Sequence, residues 1–157
     1  MICTVQRVLS CSVTVGGETV SSQERGFLLL LGVAGGDCES DADALASKIA
    51  RLRVFEDENG KMNKNVTDAG GRITVVPNFT LLASYKKGNR PDFLASAAPD
   101  EANRLFEYFK SKLAAELCAL GGNADVGSGV FGADMKVSLI NDGPVTINMD
   151  SKVLTGK

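Results

Sequence analysis

Residue types and spacing first suggest chemistry at Asn141-Asp142-Gly143-Pro144-Val145-Thr146. This stretch interrupts two apolar, strand-like runs, Val137 to Ile140 and Val145 to Met149. Proline has no N–H and is poorly placed in a central strand, so a Gly-Pro there bends the backbone and leaves carbonyl groups outside the ladder. Two readings remain open: a plain turn, for which Asn, Asp, Gly and Pro are ordinary residues, or a rigid backbone clamp for a ligand. The chain contains no histidine. Ser-His-Asp and Cys-His catalysis are therefore excluded within it, as is imidazole acid–base chemistry. Proton transfers would fall to carboxylates, Lys, Tyr, water, backbone groups or the substrate itself.

The cysteines Cys3, Cys11, Cys38 and Cys118 form no C-x-x-C pair, and no histidine completes a zinc site. No metal or cofactor is expected. Cys3 and Cys118 fall in apolar patterns and are expected to pack as small hydrophobes. Lys+Arg 17 against Asp+Glu 19 gives a net charge of −2, too little field for strong nonspecific nucleic-acid binding. The densest basic run is Lys86-Lys87-Gly88-Asn89-Arg90, with Lys61 and Lys64 a smaller group; a solvated loop is the simplest reading of both.

The elements that position these residues can be read from periodicity. At 157 residues, 44% hydrophobic and 23% charged, the chain fits one globular domain with a real core. Residues 1–151 are expected to form it, with 152–157 a flexible tail. Met1 to Val8 and Ser10 to Val15 read as two strands, and Gly16-Gly17 as a hairpin turn leading to Glu18 to Ser21. Gly26 to Val33 suits a strand buried on both faces and is far too short to span a bilayer. The first residues lack the layout of a signal peptide, so a cytoplasmic protein is expected.

Ser40 or Asp41 opens a helix carrying Ala42, Leu45, Ile49 and Leu52 on one face. Glu58-Asn59-Gly60 marks a turn. Arg72 to Val76 and Phe79 to Ser84 read as strands, and Tyr85 to Ala98 as a loop. Pro99 opens a second helix with an apolar face from Ala102 to Leu120, ended by Gly121-Gly122. Ala124 to Gly127, Lys136 to Ile140 and Val145 to Met149 complete the strands. The order is not a regular β-α-β alternation, so the expected class is α+β.

Nine runs carry a resemblance in their order and spacing. The first five are Val5-Gln6-Arg7-Val8, Ser12-Val13-Thr14-Val15, Leu30-Leu31-Gly32-Val33, Leu52-Arg53-Val54-Phe55-Glu56-Asp57 and Gly60-Lys61-Met62-Asn63. The other four are Phe79-Thr80-Leu81, Lys87-Gly88-Asn89-Arg90-Pro91, Phe131-Gly132-Ala133-Asp134-Met135 and Asn141-Asp142-Gly143-Pro144-Val145-Thr146. Over residues 1 to about 151 the chain resembles the D-aminoacyl-tRNA deacylase (D-tyrosyl-tRNA deacylase) family.

The resemblance implies mixed β-sheets in a barrel-like sandwich with two main helices. It implies hydrolysis of the ester of D-aminoacyl-tRNA and glycyl-tRNA, without cofactor, by a homodimer with active sites at the interface. Thr80 would lie in the pocket, and Gly143-Pro144, flanked by Asn141 and Asp142, would insert from the other subunit. Asn78 and Phe79 would touch substrate. Phe131, Gly132, Ala133 and Met135 would wall the 3′ adenosine, Arg7 would support the Gly-Pro loop, and Lys86, Lys87 and Arg90 would meet tRNA phosphates.

A cis Gly-Pro, a minority isomer that the resemblance favours, can aim two carbonyl oxygens the same way. They would accept from an α-ammonium and crowd an L side chain, while a D side chain points elsewhere. Thr80 is the side-chain nucleophile candidate, yet nothing in the sequence activates it; a positioning role is expected. Pro77-Asn78 stands where the family has Ser-Gln, and Val130 where a polar residue is usual. Pro77-Asn78 supports one alternative, a deacylase of relaxed chirality; a second is a nucleic-acid-binding relative without catalysis, in which Lys86, Lys87 and Arg90 would hold a phosphate run.

Overall fold

The computed structural model describes residues 1–86 and 88–156. Its centre is one long strand, β1 (Ile2–Val15), with an edge on each side. Along one edge it pairs antiparallel with β3 (Gly26–Gly32) through Val8, then with β2 (Glu18–Gln23) from Cys11 onward. Along the other edge it pairs antiparallel with β8 (Met135–Asp150) over almost its whole length. β3 continues in parallel to β6 (Arg72–Pro77), and β6 in parallel to β7 (Val126–Ser128). β4 (Phe55–Glu56) and β5 (Met62–Lys64) form a separate small hairpin.

The sheet curls until its first and last strands approach. Ser21 on β2 lies 3.2 Å from Thr74 on β6, oxygen to oxygen. Gly127 on β7 leaves no room for a Cβ against these two hydroxyls. The result is a nearly closed barrel of mixed strands, the α+β architecture that the sequence leads one to expect.

Two helices cover one face. α1 (Glu39–Ala50) starts where the Asp41 carboxylate accepts from the Cys38 N–H at 3.0 Å, half of a capping box. α2 (Pro99–Ala119) starts on Pro99, whose missing N–H leaves nothing unsatisfied in a first turn. It ends where the Gly121 and Gly122 N–H groups bond back to the carbonyls of Cys118 and Leu117. Leu45, Ala46 and Ile49 of α1 and Leu105, Phe106, Phe109 and Leu113 of α2 meet Phe27, Leu29, Ile73 and Val75 of the sheet in the main core. Each such full burial of a large side chain is worth roughly 1.5–3 kcal/mol. A second core, Val8, Cys11, Val13, Leu28 and Val76, lies apart; Leu30, Met135, Val137 and Leu139 pack against it only partly buried.

The structure departs from several expectations. Met1 to Val8 and Ser10 to Val15 are one strand, made irregular in register near Val8, where Leu9 turns outward and is 51% exposed. The two C-terminal runs are also one strand, β8, in which the Asn141 to Val145 stretch is a bulge. Phe79 to Ser84 is not a strand: Phe79–Leu82 is a 3-10 turn, because Pro77 closes the ladder and Asn78 caps the turn. Cys118 is exposed, whereas Cys3 is buried as expected. After β8, Ser151–Thr155 form a short helix, α3, capped by Asp150.

A buried knot joins the start of β1, the start of α1 and the end of β8. The Met1 ammonium sits 2.8 Å from an Asp37 carboxylate oxygen and donates to the Ser151 hydroxyl at 2.6 Å. The Ser151 hydroxyl in turn donates to Asp41 at 2.9 Å. Asp37→Ala would strand a buried ammonium and should lower stability by roughly 3–5 kcal/mol. Urea unfolding at neutral pH checks this; an unchanged midpoint would show that the pair carries no weight.

Candidate functional site

The site begins where β6 runs out. Pro77 is the last residue opposite Leu31, and the Asn78 N–H makes the final bond to the Leu31 carbonyl at 2.8 Å. The Asn78 side-chain oxygen then accepts from the Thr80 N–H at 3.2 Å and from the Thr80 hydroxyl at 2.5 Å. A short polar side chain serving the N–H two residues on is the ordinary way to start such a turn. Gly32 lets the turn sit down on β3, since a Cβ there would lie 3.0 Å from the Asn78 carbonyl.

This geometry defines what Thr80 can do. A hydroxyl has one proton, and that of Thr80 is donated to an amide oxygen, which is not a base. Toward any ligand, Thr80 offers only lone pairs. Its hydroxyl is held as an acceptor rather than activated as a nucleophile.

Two cavities meet at this turn. The larger, about 470 Å³, is an apolar cleft over the second core, lined by Leu28, Leu30, Val76, Val137 and Leu139, with Gln6 and Met135 at its sides. The smaller, about 340 Å³, runs under α2 between Leu31, Val33, Ala102, Phe106 and Phe131. Pro77, Asn78, Phe79 and Gly132 line both, so they form a saddle between the two. Ala133 and Met135 face the larger cleft, and Phe131 the smaller pocket, where its ring meets that of Phe106 at 6.4 Å. Among the described residues no cluster of Cys, Asp and Glu is arranged to hold a metal ion.

A second group of expected residues gathers elsewhere. Arg7 on β1 stands between the pairs Gln6↔Thr146 and Val8↔Asn141, so it alone faces Asp142, Gly143, Pro144 and Val145. Its side chain is buried, at 5% exposure for the residue. The guanidinium donates to the Val54 carbonyl at 2.6 Å and to the Asp142 carbonyl at 3.3 Å, and lies 3.1 Å from the Asp142 carboxylate. Asn141 closes the bulge from the other side, donating to the carbonyls of Arg7 and Val145 at 3.0 Å each. The Gly143–Pro144 peptide is cis. Gly143 has φ +119, and a Cβ there would lie 3.0 Å from the Arg7 guanidinium and 3.1 Å from a Val145 methyl. Only glycine fits both conditions.

The expected site residues therefore fall into two sets. Asn78, Phe79, Phe131, Gly132, Ala133 and Met135 share the two cavities; Thr80, expected in the pocket, is exposed and lines neither of them. Arg7, Asn141, Asp142, Gly143 and Pro144 form the bulge; Gly143 and Pro144 are exposed and line neither cavity of their own chain. Lys86 and Arg90 are exposed on a loop closed by paired backbone bonds between Ser84 and Asp92; Lys87 lies outside the described residues. Sequence reasoning missed the α2 side of the smaller pocket, Pro99, Ala102 and Phe106, together with Ser96 and Ala97. Their apolar period assigns them to the core, and nothing in that period marks a cavity wall.

Against known proteins, the family model D-Tyr-tRNA(Tyr) deacylase matches residues 4–150. A D-aminoacyl-tRNA deacylase of Dechloromonas aromatica is 54% identical over 149 residues, covering 95% of this chain and 96% of that protein. One from Thermus aquaticus is 49% identical, covering 97% and 96%. Among solved structures, one described as c-Myc DNA Unwinding Element Binding Protein superposes with a TM-score of 0.86 at 39% identity, covering 96% of this chain and 98% of that one. A probable eukaryotic D-amino acid tRNA deacylase superposes at 0.76, and at 16% identity it speaks to the fold alone.

Arg7→Met keeps the apolar stem and removes the guanidinium. Losing its charged hydrogen bond to Val54 should lower stability by roughly 1.5–3 kcal/mol. Amide hydrogen exchange at Asp142, Gly143 and Val145 should quicken more than elsewhere in the sheet. Uniform exchange across β8 would show that the bulge holds its shape without Arg7.

Proposed function

The chain belongs to the D-Tyr-tRNA(Tyr) deacylase family and is a hydrolase of the D-aminoacyl-tRNA ester, and we propose that it works as a cytoplasmic homodimer that reads chirality with backbone carbonyls. The observation that carries this reading is the saddle: one turn, Pro77 to Phe79, walls two adjoining cavities. An aminoacyl ester has two unlike halves joined at one bond. The terminal adenosine takes the smaller pocket among Phe79, Phe106, Phe131 and Gly132, and the amino acid lies in the larger cleft, so Ala133 and Met135, expected beside the adenosine, face the amino acid instead. The scissile ester then lies over Asn78 and Phe79.

The partner's bulge completes the site. Gly143 and Pro144 are exposed and held rigid, yet face no cavity of their own chain, which supports their insertion into the cleft of a second copy. Their carbonyl oxygens accept from the α-ammonium and crowd the side that an L side chain would occupy. Glycyl-tRNA, with no side chain to reject, is a second substrate. Thr80 positions the substrate as an acceptor, and Lys86, Lys87 and Arg90 meet tRNA phosphates. Asp134, the carboxylate lining the larger cleft, is paired with Lys136 at 2.7 Å, which supports a reaction that leans on water, backbone groups and the ribose hydroxyl of the tRNA.

The test is hydrolysis of D-Tyr-tRNA, L-Tyr-tRNA and Gly-tRNA by the purified protein without added metal. Cleavage of the D and glycyl esters with the L ester spared is expected. Cleavage of all three would assign the Pro77-Asn78 departure to relaxed chirality; in that case Pro77→Ser with Asn78→Gln should restore the D preference. No cleavage would overturn the catalytic reading in favour of nucleic-acid binding alone.

Gly143→Ala tests the clamp. A Cβ at this φ forces the bulge to move against Arg7, and displacement of a positioning group by about 1 Å can lower rate about a hundred-fold. A loss of that order in D-Tyr-tRNA hydrolysis, with the fold intact by circular dichroism, is expected. Full activity would remove Gly143 from the site.

A further inference from the structure

Beside the smaller pocket lies a strip of apolar side chains that neither core uses. Phe79, on the saddle, is 57% exposed, and its ring packs edge-on against Phe93 with centroids 5.1 Å apart. Leu94, next in the chain, is 91% exposed. Tyr85 is 79% exposed and comes directly after Ser84, which is joined to Asp92 by two backbone bonds of 2.8 and 2.9 Å. Tyr85 thus lies just inside the loop that this bridge closes, and Leu94 two residues outside it. Lys86 and Arg90 sit in the loop that this bridge closes, both exposed and without an ion pair or hydrogen bond among the described residues.

The Phe79 and Phe93 end of the strip adjoins the pocket. Ser96 lines the pocket, its hydroxyl donates to the Phe79 carbonyl, and its N–H bonds to Phe93. An exposed aromatic beside unpaired cations suits single-stranded nucleic acid, where bases stack and phosphates find charge. The net charge of −2 makes this local arrangement matter, because no broad positive field attracts RNA to the chain.

We propose that Tyr85 is a stacking platform for the single-stranded nucleotides immediately 5′ of the terminal adenosine. Lys86 and Arg90 hold their phosphates. The platform deepens the proposed function and rests on it for the place of the adenosine. It makes the chain prefer an aminoacyl ester at the end of an RNA strand over the same ester on adenosine alone.

The experiment compares D-Tyr-tRNA with D-tyrosyl-adenosine as substrates for the full chain and for Tyr85→Ala and Tyr85→Phe. Loss of one base–aromatic stack should lower kcat/KM for D-Tyr-tRNA about ten-fold more than for D-tyrosyl-adenosine. The change should fall mainly on KM, and Tyr85→Phe should restore it. Equal effects on both substrates, or none on the tRNA, would overturn the platform. Dissociation of the unliganded protein by Tyr85→Ala would assign the patch to contact between copies and also overturn it.

If the parent chain cleaves neither ester, the catalytic reading fails. The platform is then judged by binding of a fluorescent RNA oligonucleotide ending in CCA. Weaker binding by Tyr85→Ala with rescue by Tyr85→Phe supports it, and equal binding overturns it.

Discussion

The buried guanidinium of Arg7 is the constraint around which the molecule is arranged. Arg7 lies on the central strand at the one place where β8 supplies an oversized stretch opposite it. A buried charge needs partners, and Arg7 takes one from each side: the Val54 carbonyl from the connection after α1, and Asp142 from the bulge. Val54 is held in turn, because Arg53 donates to the carbonyl and side chain of Asn63, and Asn63 donates to Asp57. The shape of the Gly143 bulge is thus fixed from the sheet side by one residue and from the helix side by a hairpin. A bulge ordinarily re-aims a strand; here it is braced so that its backbone groups face outward at a set angle.

The two cores divide the labour between stability and the site. The helices close the first core completely, and its large side chains, Phe27, Phe55, Phe106 and Phe109, are fully buried. Nothing among the described residues covers the second. Met135, Val137 and Leu139 alternate along β8 and remain half-buried above Leu28 and Leu30. That uncovered apolar strip is the floor of the larger cleft. A cleft with an apolar floor and few polar groups at its rim suits a ligand that is positioned more than chemically attacked.

Much of this was legible in the sequence because it rests on periodicity and on residues with narrow conformational uses. Gly26 to Gly32 is apolar at every position and is indeed flanked by β1 and β6. The Asn141 to Pro144 bend was readable because proline cannot serve a ladder. The Phe79-Thr80-Leu81 turn was misread for a physical reason: aromatic and β-branched residues match a strand pattern, while the decisive signal was the pair before them. Pro77 ends a strand and Asn78 starts a turn, and that local chemistry overrode propensity. The smaller pocket was illegible because Phe106 is both core residue and cavity wall, 1% exposed yet bordering empty volume. No one-dimensional pattern distinguishes those roles.

The absence of histidine and the place of Thr80 lead to one further step. A site whose best hydroxyl has its proton bound to an amide cannot derive its selectivity from an activated side chain. Selectivity must then come from shape, and shape at the resolution of one stereocentre demands rigid groups. The exposed bulge at Gly143 is braced by Arg7 and Asn141, yet it lines neither cavity at the saddle of Asn78. The proposed dimer would bring the bulge of one chain to the saddle of the other. In the proposed dimer, therefore, association is part of the active-site geometry, and any substitution that loosens the interface should weaken chiral selection before it unfolds either subunit.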